Sequence, residues 1–218
     1  MNWFAEVDAY CERIDASFWS EPVNAITNLA FVLAALFVWP RVAHMKMGRA
    51  LAAILLMIGV GSGLNHTIAQ NWAAAADSLS ILVFILVYLF AATRDMLGQK
   101  TWVSVLVVVA FFPYVAVTIP VFSQFPFLGS SAAYAPVAFL IGLYAFILQR
   151  RAPATARGMW IGAGLLTVSI LLRAADEPIC ALVPLGTHFT WHLLNAIMLG
   201  HMILTWRAHV LAGVGRAG

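Results

Sequence analysis

The chain has 218 residues, of which 63% are hydrophobic and only 10% charged, with a formal net charge of +3. A soluble domain carries about a quarter charged residues, so a water-facing globular enzyme is excluded. The basic residues follow loop topology rather than one folded patch, which excludes a nucleic-acid binder as well.

Residues 1–22 contain five acids and no apolar core, so no cleavable signal peptide is expected. Seven apolar segments follow, at 23–39, 50–68, 74–92, 102–120, 133–149, 158–175 and 186–206, each near the length a bilayer requires. The fold class predicted is therefore all-α, a single membrane domain over 1–218 built as a seven-helix transmembrane bundle. Pro113 and Pro136 fall inside the fourth and fifth segments and are expected to kink them. The stretch Ser123–Ser131 before the fifth segment is apolar, which makes that boundary the least defined.

Cations set the orientation. Arg41, Lys46 and Arg49 follow segment one, Arg94 and Lys100 segment three, Arg150, Arg151 and Arg157 segment five, and Arg207 and Arg216 segment seven. The alternate side holds Glu6, Asp8, Glu12, Asp15, Glu21, Asp176 and Glu177, with only Arg13 and Arg173 as basic neighbours. Basic loops remain cytoplasmic, so the N-terminus is expected outside and the C-terminus inside. Cys11 and Cys180 then share the outer side, where a disulfide can form, the alternative being two unrelated thiols.

Polar side chains at membrane depth need a partner or a purpose. Ser62 and His66 lie four residues apart in segment two, and His188 and His192 four apart in segment seven, so each pair shares a helix face. Topology brings His66, Asp77, His188 and His192 to a similar depth near the outer surface. Three imidazoles and a carboxylate suit a zinc ion with an open position for water. A haem is the rival ligand, but an i,i+4 pair on one helix cannot supply both axial imidazoles. His66 alone could equally bond a backbone carbonyl, and Ser62 in Gly61-Ser-Gly63 could be a small packing residue. His44 and His209 are expected in solvent and His201 in a helix–helix contact. The acids Asp8, Glu12, Asp15 and Glu21, with Asn24 and Asn28, form either a solvated acidic loop or an oxygen-rich calcium site.

Tyr10-Cys-Glu-Arg13, Ser20-Glu-Pro-Val-Asn-Ala-Ile-Thr-Asn28, Gly61-Ser-x-x-x-His66, Asp77 and His188-x-x-Trp-His192 together resemble the alkaline ceramidases. These belong to a wider group of seven-span metal-dependent hydrolases that includes the adiponectin and progestin receptors. The resemblance runs from about residue 8 to 195. It implies zinc-dependent hydrolysis of the amide of ceramide, a lipid drawn from the membrane, to a sphingoid base and a fatty acid. It implies His66, His188 and His192 as zinc ligands, with Asp77 and Ser62 beside the water. It further implies a calcium ion at Asp8, Glu12, Glu21 and Asn24, and a Cys11–Cys180 disulfide. The chain departs from the family at Asp8-Ala-Tyr-Cys-Glu12, one residue longer and with Tyr10 where many members have tryptophan, and at Asp77-Ser78, where an acidic pair is common.

Asp77 would accept the water proton and hand it to the leaving amine, and Phe, Leu and Met side chains would take the acyl chain. The protein is expected in a bacterial inner membrane, or in an endoplasmic-reticulum or Golgi-type membrane of a eukaryote. The alternative reading is a seven-span lipid receptor or sensor with a structural zinc. A retinal protein is excluded because 186–206 contains no lysine.

Overall fold

The computed structural model describes residues 2–214; 2–21 form an irregular N-terminal segment, and the rest is helical apart from short connections. Arg216, counted above among the inner cations, lies outside the described residues. The helices are α1 Pro22–Thr27, α2 Leu29–Val42, α3 Lys46–Ile68, α4 Asn71–Ala91, α5 Thr101–Phe122, α6 Ala135–Leu148, α7 Pro153–Ile179 and α8 His188–Val214. Among the described residues, six helical stretches are long and apolar enough to cross a membrane, running from Pro22–Val42 to Pro153–Ile179. Helix α8 has 27 residues but carries His188, His192, Asn195, His201 and Arg207, which lower its hydropathy.

The expected segments exist, with moved ends. A single π-helical turn, Ala92–Met96, extends α4 beyond the expected limit at residue 92. The apolar stretch before α6 is a 3-10 helix, Pro126–Tyr134, broken at Gly129 with φ 48°. Pro136 therefore sits in the first turn of α6, where its missing N–H costs no helical bond, and it does not kink the helix interior. Pro113 does lie inside α5, together with Pro120.

The core is a seam of fully buried apolar side chains, including Phe31, Leu51, Leu55, Ile58, Met159 and Ile203. Leu33, Leu36, Val109, Phe139 and Phe146 face outward instead, as expected where the surrounding medium is hydrocarbon. Within the seam Tyr88 donates from its hydroxyl to the Met202 carbonyl at 3.1 Å. His201 Nε2 meets the Gly158 carbonyl at 2.9 Å, the helix–helix contact expected of it. His209 is not in solvent: it lies within α8, with Nδ1 2.8 Å from Thr155 Oγ1.

The acidic N-terminal segment is folded against one end of the bundle. Val7 N–H donates to Ala69 C=O at 2.8 Å and Asn71 N–H to Ala5 C=O at 3.0 Å, so the segment covers the α3–α4 turn. The Cys11–Cys180 disulfide ties it to the far end of α7, with Cα atoms 5.3 Å apart. Asp176, only 2% exposed, accepts N–H bonds from Cys11 at 3.0 Å, Thr187 at 2.6 Å and His188 at 2.8 Å. One carboxylate thus pins the N-terminal segment and caps the start of α8, where free N–H groups and the helix dipole favour an anion. Gly186 makes this possible: it has φ 65°, and a Cβ there would overlap Asp176 and lie 2.8 Å from the Cys11 Cβ.

Candidate metal centre

Helices α3, α4 and α8 deliver the polar residues to the end of the bundle that the N-terminal segment covers. His66 occupies the last turn of α3, Asp77 the second turn of α4, and His188 the first position of α8. Gly61 lets α3 and α4 approach, since a Cβ there would sit 3.2 Å from the Ala76 carbonyl oxygen and 3.4 Å from the Asp77 Cα. His66, His188 and His192 are buried, at 1%, 2% and 0% exposure. One ring nitrogen from each lies within 4.8 Å of the others, close enough to hold a single metal ion.

The tautomers follow from the neighbours. His66 Nδ1 lies 2.6 Å from Glu21 Oε2, so it carries the proton and donates to that carboxylate. His192 Nδ1 lies 2.9 Å from Thr27 Oγ1, whose own hydroxyl donates to the Val23 carbonyl at 2.7 Å, so this Nδ1 is also protonated. Both Nε2 atoms therefore carry lone pairs, and they face each other at 3.1 Å. Two lone pairs at that distance repel unless a cation lies between them. His188 Nδ1 is also buried without a hydrogen-bond partner. A tetrahedral zinc with bonds of about 2.0–2.1 Å holds its ligand nitrogens roughly 3.4 Å apart, so the donor set fits such an ion.

Tyr10 stacks on the His188 ring with centroids 3.7 Å apart, which closes one side of the cluster. The Tyr10 phenol is pushed up by burial. Asp77 has an Oδ1 buried without a protein partner, and the Ser62 hydroxyl lies beside its carboxylate. Asp77, Tyr10, Tyr134, Arg173, His188 and Trp191 line a small polar pocket at this end. Ile81, Tyr134 and Trp191 also line an apolar cavity that continues inward past Phe84, Leu140 and Met202.

Of the four residues suggested for calcium, Asp8, Glu12, Glu21 and Asn24, the two glutamates are engaged otherwise. Asp8 is exposed. Glu12 accepts from Val23 N–H at 2.7 Å and Asn24 N–H at 2.8 Å, capping α1 with both oxygens. Glu21, 2% exposed, accepts from Arg13 Nε at 2.6 Å, from His66 Nδ1 at 2.6 Å and from Asn24 Nδ2 at 3.0 Å. Burial would raise this carboxyl, but His66, Asn24 and Arg13 together hold it below the usual carboxylate range. Asn24 Oδ1 and the neighbouring Asn28 Oδ1 are left buried without a donor. A guanidinium already supplies the positive charge at Glu21, so these residues as placed do not fit a calcium ion.

Sequence reasoning had not given Glu21, Thr27, Tyr10 or Arg173 a part in this centre. Glu21 was visible as the acid of Ser20-Glu-Pro-Val-Asn24, but its partner His66 lies 45 residues away and nothing local reveals that pairing. Against known proteins, the family model described as ceramidase matches residues 5–215. A search of curated proteins gives no match.

Proposed function

This chain belongs to the ceramidase family, and from that we propose that it is an intramembrane zinc-dependent amidase, cleaving ceramide to a sphingoid base and a free fatty acid. The observation that carries the metal is the pair of Nε2 lone pairs of His66 and His192 opposed at 3.1 Å, with both Nδ1 atoms already engaged. Zinc is the ion that takes three imidazoles and keeps a position open. When bound, it supplies Lewis acidity to a water and to the amide carbonyl.

The remaining chemistry belongs to side chains. Asp77 takes the proton of the attacking water and returns it to the leaving amine nitrogen, and Ser62 orients its carboxylate. Glu21 and Thr27 fix the tautomers and ring planes of His66 and His192, the outer-shell support that metal-ligating histidines require. The acyl chain lies in the apolar cavity beyond Trp191, and Tyr10 with the N-terminal segment shields the centre from water. In this reading α8 is the seventh span, the N-terminal segment lies outside and the C-terminus is cytoplasmic. The membrane would be a bacterial inner membrane or a eukaryotic endoplasmic-reticulum or Golgi membrane. Calcium has no part in the reading, because Arg13 holds Glu21. A receptor with a structural zinc would have no use for a buried, unpartnered carboxylate oxygen opening on the pocket.

Elemental analysis of the purified protein, paired with fatty-acid release from ceramide, tests the proposal. Stoichiometric zinc without stoichiometric calcium is expected. His192→Ala is expected to insert normally yet lose both metal and turnover. Full ceramide turnover by a metal-free variant would end the zinc mechanism.

A further inference from the structure

Arg173 is a charged member of the pocket that neither metal ligation nor proton transfer employs. It projects from α7, one turn before Asp176, into the pocket lined by Tyr10, Asp77, Tyr134, His188 and Trp191. Its Nη1 donates to Ser131 Oγ at 2.8 Å and to Ser130 Oγ at 3.0 Å. The guanidinium carbon lies 5.9, 5.5 and 5.6 Å from the ring centroids of Tyr10, Tyr134 and Trp191. Among the described residues it makes no ion pair; the pairs that exist are Arg13–Glu21, His66–Glu21 and Arg94–Asp95.

A guanidinium has more N–H donors than two hydroxyl bonds use, and those donors lie in a fixed fork. Aromatic faces attract a cation but do not neutralise it. Asp77 lines the same pocket and attracts this half-buried cation but stands beyond ion-pair distance, so the unused donors are open to a second anion, one a ligand would bring. The adjoining space says which kind. Ile81, Tyr134 and Trp191 join the Arg173 pocket to the apolar cavity that runs to Met159 and Met202. An apolar slot with a guanidinium at its mouth has the shape and charge of a site for a long-chain carboxylate.

We propose that Arg173 binds the carboxylate of a long-chain fatty acid whose tail occupies this cavity. The inference rests on the reading above, in which amide hydrolysis consumes water and yields a carboxylate and an amine. Arg173 then retains the acyl product after the amine has left, and free fatty acid inhibits the protein by occupying the same place.

The test compares two probes of equal chain length, palmitate and hexadecanol, on the purified metal-loaded protein in detergent, read by Trp191-sensitive fluorescence or competition. The wild type is expected to bind palmitate at least about 10-fold more tightly than hexadecanol. Arg173→Gln is expected to weaken palmitate by about 10- to 100-fold, the size of a charge-assisted bond, while leaving hexadecanol affinity and metal content unchanged. Should that variant fail to fold, Arg173→Met keeps the apolar stem against the rings and is expected to show the same selective loss. Unchanged palmitate affinity, or an equal loss of both probes with the metal retained, overturns the proposal. Selective palmitate loss in a protein that does not hydrolyse ceramide would sustain this site and defeat the amidase reading instead.

Discussion

Glu21 carries more of the centre than any residue that would touch the substrate. Its two oxygens hold Arg13, His66 and Asn24, all buried, so charge, ring orientation and the start of α1 depend on one carboxylate. Glu21→Gln keeps the shape but can no longer accept equally from Arg13 and His66. It is expected to lower metal affinity by about 10- to 100-fold, the usual cost of losing an outer-shell partner, measured as metal retained against a graded chelator. Asp77 has the opposite profile. Its Oδ1 is buried without a partner and it is not one of the three clustered imidazoles, so Asp77→Asn is expected to keep the metal and lose at least about 100-fold in ceramide turnover. Ordinary turnover by that variant would remove Asp77 from the chemistry. His66 and His192 were legible as candidates from spacing alone, whereas their tautomers were not, because Glu21 and Thr27 come from the two ends of α1, far away in sequence.

Among the elements, the ends of helices matter more than their middles. The start of α8 places His188, and it is fixed from outside by Asp176, which accepts from the Thr187 and His188 N–H groups while its other oxygen holds Cys11. The turn before it needs a residue with φ 65° and no side chain, and Gly186 is that residue. Gly186→Ala is expected to destabilise the protein by about 2 kcal/mol or more, since a methyl would meet Asp176 and the backbone would be strained as well. Thermal unfolding in detergent measures it, and an unchanged midpoint would show that the α7–α8 turn relaxes freely. The helices themselves were readable from runs of apolar residues. Their limits were not: the π-helical turn at Ala92–Met96 and the 3-10 helix at Pro126–Tyr134 arise from packing between neighbours, and hydropathy is blind to both.

At the scale of the whole molecule, the N-terminal segment acts as a cover clamped across one end of the bundle. It is held by the Cys11–Cys180 bond, by the Asp176 contacts and by the backbone bonds to the α3–α4 turn. Cys180→Ser is expected to cost about 2–4 kcal/mol, because the bridge closes a loop spanning 169 residues of sequence. The loss should appear as a lower unfolding midpoint, and reduction of the wild type should reproduce it. If neither change moves the midpoint, the cover is held by its hydrogen bonds alone. Composition and periodicity determined that the chain is helical and lipid-facing, and i,i+4 spacing selected the histidines, because both signals are local. The partnerships were decided by tertiary structure. Arg13 rather than a divalent cation balances Glu21, Arg173 opens on the pocket, and His66 and His192 turn their lone pairs on each other. Each of these depends on which helices become neighbours in space, and that information is not carried by any one stretch of sequence.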